Sequence, residues 1–232
     1  MSEKIRLAQV KSCTALSDSI MHLVLTLEKY LPYQAGQYLQ IVLAEEALSY
    51  SIANAPLGSE EYELHIRHSP DNLVMQQLFA HIQTHSTLPI RLPYGECTLA
   101  QLDADRPILF IAVGTGFAPV NAMIEQLLAK EDPRVFELFW AARTVKDFYL
   151  AEKVKGWKAS NPRFQYCSLL AEDNKKSLAA QILKQHAKDI NDWQIVISGP
   201  FEMVYSTRDI LLAQGVDARH LYSDAFSFEG KN

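Results

Sequence analysis

The sequence predicts a two-domain protein, a β-barrel followed by an α/β domain with a parallel sheet, because the pattern changes once along the chain. Before residue 103, short β-favouring runs alternate with turn residues, and one stretch alone has helical spacing. After it, continuous apolar runs alternate with amphipathic helix patterns. We therefore expect domains at 1–103 and 104–232, with the boundary in the segment 102–107.

The first half is predicted to be an antiparallel barrel or sandwich. Several of its runs alternate apolar and polar residues, as in 21–27 (MHLVLTL), which is typical of half-buried strands. A helix is predicted near 72–82. The six predicted strands are 5–10, 20–27, 38–43, 49–53, 62–67 and 87–92.

The second half is predicted to be a parallel sheet with helices on both faces. The run 108–113 (ILFIAV) is apolar throughout, as in a strand buried on both sides. A helix follows it from Phe117. The further predicted strands are 136–140, 164–168, 194–198 and 219–222, and the further predicted helices are 149–158, 177–186 and 201–214.

Composition excludes several classes of protein. The chain has 232 residues, 48% of them hydrophobic, and a net charge of -5, which disfavours broad electrostatic binding to nucleic acid. No apolar run is long enough for a membrane span, and the first residues lack the apolar stretch of a signal peptide. Cys13, Cys97 and Cys167 lie far apart without metal or iron–sulfur spacing. We expect a cytoplasmic protein with reduced thiols, no metal and no membrane or nucleic-acid partner.

A glycine loop directly follows the first buried strand of the second half. Gly114-Thr115-Gly116-Phe117-Ala118-Pro119 lets the backbone turn sharply and approach a ligand, and the helix behind it presents free N–H groups that suit a pyrophosphate. The pattern is neither GxGxxG nor a P-loop. A tight strand–helix turn that binds no ligand is therefore an alternative interpretation of this loop.

Two further loops follow later strands of the same half. Gly199-Pro200-Phe201-Glu202-Met203 follows 194–198, and taken by itself this loop is better explained by simple helix initiation than by a ligand. Arg143 and Lys146 follow 136–140 and are either phosphate or ribose ligands or a solvated pair. Ligands of parallel α/β sheets bind at the carboxyl ends of strands, where these loops would meet.

A small β domain followed by these loops in this order resembles the ferredoxin–NADP reductase superfamily. Within that superfamily, the chain is most similar to the NAD(P)H:flavin oxidoreductases. The resemblance covers nearly the whole chain. The matching pieces are Ala35-Gly36-Gln37-Tyr38, Tyr50-Ser51-Ile52-Ala53, His65-Ile66, Pro93-Tyr94-Gly95-Glu96, Gly114-Thr115-Gly116-Phe117, Trp140-Ala141-Ala142-Arg143, Gly199-Pro200-Phe201-Glu202-Met203 and Asp224-Ala225-Phe226-Ser227-Phe228.

The resemblance implies a six-stranded Greek-key barrel that binds flavin (FMN, FAD or riboflavin) and a second domain that binds NAD(P)H. Ser51 is expected to be the catalytic residue, beside flavin N5. The expected flavin-binding residues are Tyr50, Ser51, Ile52, Ala53, His65, Arg67, Pro93, Tyr94, Gly95, Asp224 and Phe226. The expected NAD(P)H-binding residues are Gly114, Thr115, Gly116, Phe117, Ala118, Pro119, Arg143, Gly199, Pro200, Phe201 and Met203.

One departure from the family pattern concerns the flavin phosphate. Relatives carry arginine two residues before the aromatic that precedes the serine, and here that position is Leu48. The change removes a bidentate phosphate partner. Arg67 on the next strand is a candidate replacement, or the phosphate is not gripped at all.

The expected function is reduction of a diffusing flavin by NAD(P)H, with reduced flavin passing to a monooxygenase or a ferric-iron acceptor. Two alternatives remain open. One is a flavoprotein with tightly bound FAD or FMN that passes electrons to a protein partner. The other is a non-catalytic nucleotide-binding or electron-transfer subunit. The sequence does not decide between NADH and NADPH.

Overall fold

The computed structural model describes residues 4–43, 46–69, 71–170 and 175–229, with only the backbone described at 175–177. Residues 1–3, which bear on the prediction that no signal peptide is present, lie outside the described residues. In the part of the chain that the structure describes, no helix is both long and apolar enough to cross a membrane.

The first half forms a six-stranded antiparallel sheet that curls into a barrel. Its strand order is β4-β3-β6-β1-β2-β5, and a bridge between Ile52 and Leu64 brings its two edges together. A helix, α1, lies between the fifth and sixth strands. The elements are β1 Arg6–Ser17, β2 Ile20–Thr26, β3 Tyr38–Leu43, β4 Glu46–Ser51, β5 Glu61–Arg67, α1 Leu73–Thr84 and β6 Thr87–Tyr94.

One apolar core fills this barrel. It contains alternate residues of the strands, such as Leu39 and Ile41 of β3 and Tyr62, Leu64 and Ile66 of β5. Because strand side chains alternate between faces, the residues between them point outward, toward solvent or the second half.

The second half forms a five-stranded parallel sheet in the order β11-β10-β7-β8-β9. The elements are β7 Ile108–Val113, α2 Phe117–Ala129, β8 Phe136–Ala142, α3 Ala151–Ser160, β9 Phe164–Leu170, α4 Lys175–Gln185, β10 Gln194–Ser198, α5 Phe201–Ala213 and β11 Leu221–Tyr222. One core lies between the sheet and α2 and α3, and another between the sheet and α4 and α5. A barrel followed by a parallel α/β domain is the predicted fold class, which is confirmed.

The strand order creates the site for a ligand. The connection from β7 runs to one side, through β8 and β9, and the chain then returns to β10 on the other side of β7. The helices that follow these two adjacent strands lie on opposite faces of the sheet, and such a switch point leaves a crevice at the carboxyl ends of the strands.

Candidate functional site

A cavity of about 600 Å³ lies between the barrel and this crevice. Its lining comes from the outer face of β3 and β4, the loops after β7 and β10, the first turn of α2, and the chain after β11. The lining residues are Gly36, Tyr38, Ser49, Tyr50, Ser51, His65, Cys97, Thr115, Gly116, Ala118, Pro119, Val120, Met123, Val196, Ile197, Ser198, Gly199, Pro200, Phe201, Ser223, Asp224, Ala225 and Phe228.

Ser51 is the last residue of β4 and lines the barrel wall of the cavity. It pairs with Tyr38 of β3, so both side chains lie on the outer face of the sheet. No hydrogen bond occupies its hydroxyl among the described residues. A polar group that is held by a strand and has no protein partner is available to a ligand.

Tyr50 also lines the cavity, although its hydroxyl is turned away from it. That hydroxyl donates to Met75 Sδ of α1 at 3.5 Å, and burial raises the pKa of Tyr50 to about 12. Tyr50 therefore offers the face and edge of a neutral ring, not a charged group. Ile52 and Ala53 are fully buried just past the strand and do not line the cavity. Their N–H groups donate to the carbonyls of Gln37 and Glu63.

Glycines bring the loops after β7 and β10 into direct contact. Gly114, Thr115 and Gly116 form one 3-10 turn that leads into α2. A Cβ on Gly116 would lie 2.3 Å from the carbonyl oxygen of Ser198, so only glycine permits this approach. Gly114 has φ +57. The first turn of α2 lines the cavity through Ala118, Pro119 and Val120, although the N–H of Phe117 donates to the carbonyl of Gly114 and Pro119 has no N–H.

The chain after β11 forms part of the cavity wall. Asp224 Oδ1 accepts hydrogen bonds from the backbone N–H groups of Glu96 and Cys97, at 2.9 Å and 3.0 Å. Burial raises the pKa of Asp224 and outweighs these hydrogen bonds, which act to lower it. Phe228 stacks on Phe201 with ring centroids 5.6 Å apart, and both rings line the cavity.

The predicted cations have different environments. Arg67 Nη2 donates to Asp147 Oδ1 at 3.1 Å, which joins β5 to the turn after β8. Burial acts to raise the pKa of Asp147, but hydrogen bonds from Thr144 and Arg67 outweigh it and lower that pKa. Arg143 is exposed, and Lys146 pairs with Asp18 at 2.8 Å.

His65 is a neutral interface residue. It is buried on the outer face of β5, and burial, followed by the charges of His22 and Lys153, lowers its pKa to about 3. Its Nδ1 lies 3.0 Å from the Tyr149 hydroxyl. His65 therefore lines the cavity as an uncharged ring that is also held by the second domain.

The structure brings part of the predicted set together around the cavity. The predicted residues that line it are Tyr50, Ser51, His65, Thr115, Gly116, Ala118, Pro119, Gly199, Pro200, Phe201 and Asp224. The predicted residues outside the lining are Ile52, Ala53, Arg67, Pro93, Tyr94, Gly95, Gly114, Phe117, Arg143, Met203 and Phe226.

Several residues outside the lining support those within it. Phe117 is fully buried and stacks on Trp140 at 4.0 Å between ring centroids, which anchors the start of α2. Tyr94 stacks on Tyr38 at 5.6 Å. Phe226 packs against Arg208, and Phe228 takes the position on the cavity wall.

Sequence reasoning missed several lining residues because they come from distant segments. Gly36 and Tyr38 lie in the segment Ala35-Gly36-Gln37-Tyr38, whose resemblance to the family was the one indication that they belong to a site. Met123 reads as an ordinary core position of α2, and a Cβ on Gly36 would lie 2.3 Å from its Cε. Nothing in the pattern of the chain marked Met123 or Cys97 as part of a site.

The lining fits a flat aromatic ring system with a polar edge. Apolar and aromatic side chains such as Tyr38, Val120 and Met123 form most of it, and the Ser51 hydroxyl is free for an acceptor. The volume lies within the usual range for small-molecule sites, about 300–1,000 Å³. Among the described residues, no group of three or more His, Cys, Asp or Glu side chains forms a metal-binding cluster.

A barrel and a parallel α/β domain that share such a cavity define a two-domain nucleotide-binding protein. Residues 7–99 match the oxidoreductase FAD-binding domain, and residues 110–209 match the oxidoreductase NAD-binding domain. The chain belongs to the ferredoxin reductase-like superfamily of flavin- and NAD(P)H-binding oxidoreductases.

Relatives of two kinds are similar to this chain. Terephthalate 1,2-dioxygenase reductase component 1 of Comamonas sp is 31% identical over 219 residues, which cover 90% of this chain and 64% of that protein. The chain thus spans less than two thirds of that relative. The NAD(P)H-flavin reductase of Vibrio harveyi is 27% identical, with 95% of this chain and 98% of that protein covered.

Solved structures share the fold. The cytochrome P450 reductase of Amycolatopsis has a TM-score of 0.84 at 21% identity, over 95% of this chain and 69% of that one. A ferredoxin NADP+ reductase from Neisseria gonorrhoeae with bound FAD and NADP has a TM-score of 0.80 at 15% identity, over 95% and 98% of the two chains.

Proposed function

We propose that this protein is an NAD(P)H-dependent flavin reductase that takes riboflavin, FMN or FAD as a diffusing substrate and releases it reduced. The observation that carries the proposal is the shared cavity, in which the unpartnered Ser51 hydroxyl of the barrel faces the glycine loops of the α/β domain. The similarity to the Vibrio harveyi flavin reductase along 98% of that protein supports it.

The chemistry supplied by the two ligands is hydride transfer from nicotinamide C4 to flavin N5. The residues of this chain have to hold both rings in contact and keep them oriented. We assign the barrel wall, with Tyr50 and Ser51, to the flavin. We assign the loops at Thr115–Gly116 and Gly199–Phe201 to the nicotinamide nucleotide, because two glycine turns and a helix N-terminus meet there.

Ser51 is the proposed catalytic residue. Its hydroxyl would donate a hydrogen bond at the flavin atom that gains electron density during the transfer, which lowers the barrier more than it strengthens binding. Neutral surroundings fit this role. Tyr50 and His65 are both uncharged at neutral pH, so Ser51 acts without a competing cation next to it.

The environments of the two candidate phosphate-binding positions, 48 and 67, support a flavin that exchanges with solution. Leu48 packs against the barrel core beside the buried Ile41, so position 48 holds no cation toward the cavity. Arg67 is already paired with Asp147. Without a strong phosphate clamp at either position, the ring contributes most of the affinity, as suits a substrate that leaves after each turnover.

A second candidate is a reductase that retains its flavin and passes electrons to a protein. The higher identity to the terephthalate dioxygenase reductase component favours it. In both cases, the downstream acceptor of electrons is a proposal: a flavin-dependent monooxygenase or ferric iron for the first function, an oxygenase-type protein for the second.

Steady-state oxidation of NADH and NADPH with added riboflavin, FMN and FAD, together with an absorbance spectrum of the purified protein, tests the proposal. A colourless protein whose NAD(P)H oxidation depends on added flavin supports the flavin reductase. A yellow protein with one flavin per chain, active without added flavin toward an artificial one-electron acceptor, supports the second candidate. No oxidation under any condition contradicts both.

A further inference from the structure

A row of three polar side chains runs across the outer face of the barrel, away from the cavity. β3 pairs with β4 on one side and with β6 on the other, and the register aligns Ser49, Gln40 and Arg91. Directly paired residues point to the same face of a sheet. Gln40 Nε2 donates to Ser49 Oγ at 3.5 Å, and Ser49 itself lines the cavity. The row therefore begins at the cavity and ends at an arginine.

Arg91 has no partner among the residues that the structure describes. Its Nε is buried without a hydrogen bond, and the side chain takes part in no ion pair there. Buried donors without partners are uncommon in proteins because their desolvation is not compensated. The two terminal nitrogens of Arg91 are not among the buried atoms and make no hydrogen bond to the described residues, so they are available to an anion.

Two other arginines were candidates for a phosphate ligand, Arg67 and Arg6, and neither is both unpaired and on the same face of the sheet as Arg91. Arg67 is held by Asp147. Arg6 of β1 also has a buried Nε without a partner, but it is in register with Ile90, whose side chain lies in the barrel core. Arg6 therefore belongs to the opposite face of the sheet from Arg91.

We propose that Ser49, Gln40 and Arg91 form a phosphate-binding row for flavin nucleotides, so that FMN binds more tightly than riboflavin. This inference rests on the proposed function. The guanidinium of Arg91 would bind the phosphate, since its planar pair of N–H groups matches two phosphate oxygens. Gln40 and Ser49 would donate further hydrogen bonds along the ribityl chain.

The dimensions of the sheet agree with this assignment. Neighbouring strands lie about 4.8 Å apart, so the backbone of Arg91, two strands from β4, is roughly 10 Å from that of Ser49. A ring at Ser51 and a phosphate near Arg91 are thus separated by a distance that the ribityl chain and the arginine side chain span together. Riboflavin has the same ring and ribityl chain without the phosphate, and it isolates the contribution of the row.

The test is equilibrium binding of riboflavin and FMN, followed by flavin fluorescence, to the wild type, Arg91→Gln, Arg91→Lys and Arg6→Gln. Arg91→Gln is expected to weaken FMN binding by about 10-fold, in line with the loss of a hydrogen-bonded charge pair. Riboflavin binding should stay unchanged, which also shows that the variant is folded. Arg91→Lys should lie between the two, and Arg6→Gln is the matched control from the other face.

Salt provides a second readout. Wild-type affinity for FMN should fall as ionic strength rises, and this dependence should be smaller in Arg91→Gln. Equal losses for FMN and riboflavin, an unchanged FMN affinity, or the same FMN loss in Arg6→Gln would each overturn the phosphate row. If the wild type binds neither flavin, the proposed function itself fails. If Arg91→Gln binds and reduces FMN as the wild type does, only the phosphate row fails.

Discussion

Asn121 Nδ2, on α2, donates a hydrogen bond to the backbone carbonyl of Ala53, two residues past Ser51, at 2.6 Å. One turn further along α2, the carboxylate of Glu125 accepts a hydrogen bond from the N–H of Ala55 at 2.9 Å. The helix that begins at the glycine loop therefore grips the end of the strand that carries Ser51. These bonds set the spacing between the two walls of the cavity.

Asn121→Ala tests how much the hydrogen bond from Asn121 to the Ala53 carbonyl contributes to stability. Asn121 is almost fully buried, and its loss leaves the Ala53 carbonyl without this donor, so the free energy of unfolding should fall by about 1–3 kcal/mol. Urea unfolding measures the change. Gln126→Ala, on the same helix and partly exposed, is the control and should shift stability by less than about 0.5 kcal/mol. Equal midpoints for wild type and Asn121→Ala would show that the hydrogen bond contributes nothing.

Gly116→Ala tests the contact between the loops after β7 and β10. The added methyl would lie 2.3 Å from the Ser198 carbonyl oxygen and 2.6 Å from the N of Gly199, so the loops must separate. We expect binding of NAD(P)H to weaken by at least roughly 10-fold, as a misplacement of about 1 Å at a reacting site is costly. Titration with the nicotinamide nucleotide, without flavin, measures this.

Gly156→Ala is the matched control for that substitution. Gly156 lies inside α3 with nothing within 4 Å of its Cβ position, so alanine should fit and leave nucleotide binding unchanged, with stability equal or slightly higher. Should both variants bind the nucleotide as the wild type does, the close approach at Gly116 has no part in the site.

His186 predicts a pH dependence of stability in the α/β domain. Its Nε2 lies 3.0 Å from Glu137 Oε2, and both side chains are buried. Burial acts to lower the pKa of His186, but the hydrogen bond and charge of Glu137, together with Asp189, outweigh it and raise that pKa above 6.5. The stabilisation is complete below about pH 6.5 and is lost as pH rises through the folded-state pKa.

Unfolding midpoints measured from pH 6 to pH 9 should therefore decrease for the wild type, and the decrease should be smaller in His186→Gln. His85→Gln, at an exposed histidine, should keep the wild-type slope. A slope that His186→Gln leaves unaltered would assign the pH dependence to other groups.

Much of the fold follows from local patterns in the sequence. β7 and β10 have the predicted limits, because each is a short, mainly apolar run that ends directly before a glycine. β1 extends seven residues beyond its predicted end at residue 10, to Ser17, since its second part is half-exposed and polar. β11 begins later than predicted, because Asp217 caps a 3-10 turn through His220.

The sequence motifs indicated which loops belong to the candidate site, but they did not indicate which charged side chains are paired in the folded chain. Gly116 and Ser51 each belong to a short sequence motif that can be recognised in one sequence without an alignment. Whether Arg67 is free for a ligand depends on its ion pair with Asp147. Asp147 lies 80 positions further along the chain, and no sequence motif links the two residues. Likewise, Arg91 is brought next to Gln40 by strand pairing alone, so only the folded register reveals it.

The catalytic role of Ser51 is tested by the rate of hydride transfer in an anaerobic single turnover with riboflavin, compared between wild type and Ser51→Ala. We predict that Ser51→Ala slows the transfer by roughly 10²-fold, as expected for loss of a hydrogen bond that strengthens in the transition state, while riboflavin affinity changes little. Ser12→Ala, on β1 and outside the cavity lining, should react as the wild type. A Ser51→Ala variant that transfers hydride at the wild-type rate would show that the Ser51 hydroxyl has no part in the transfer.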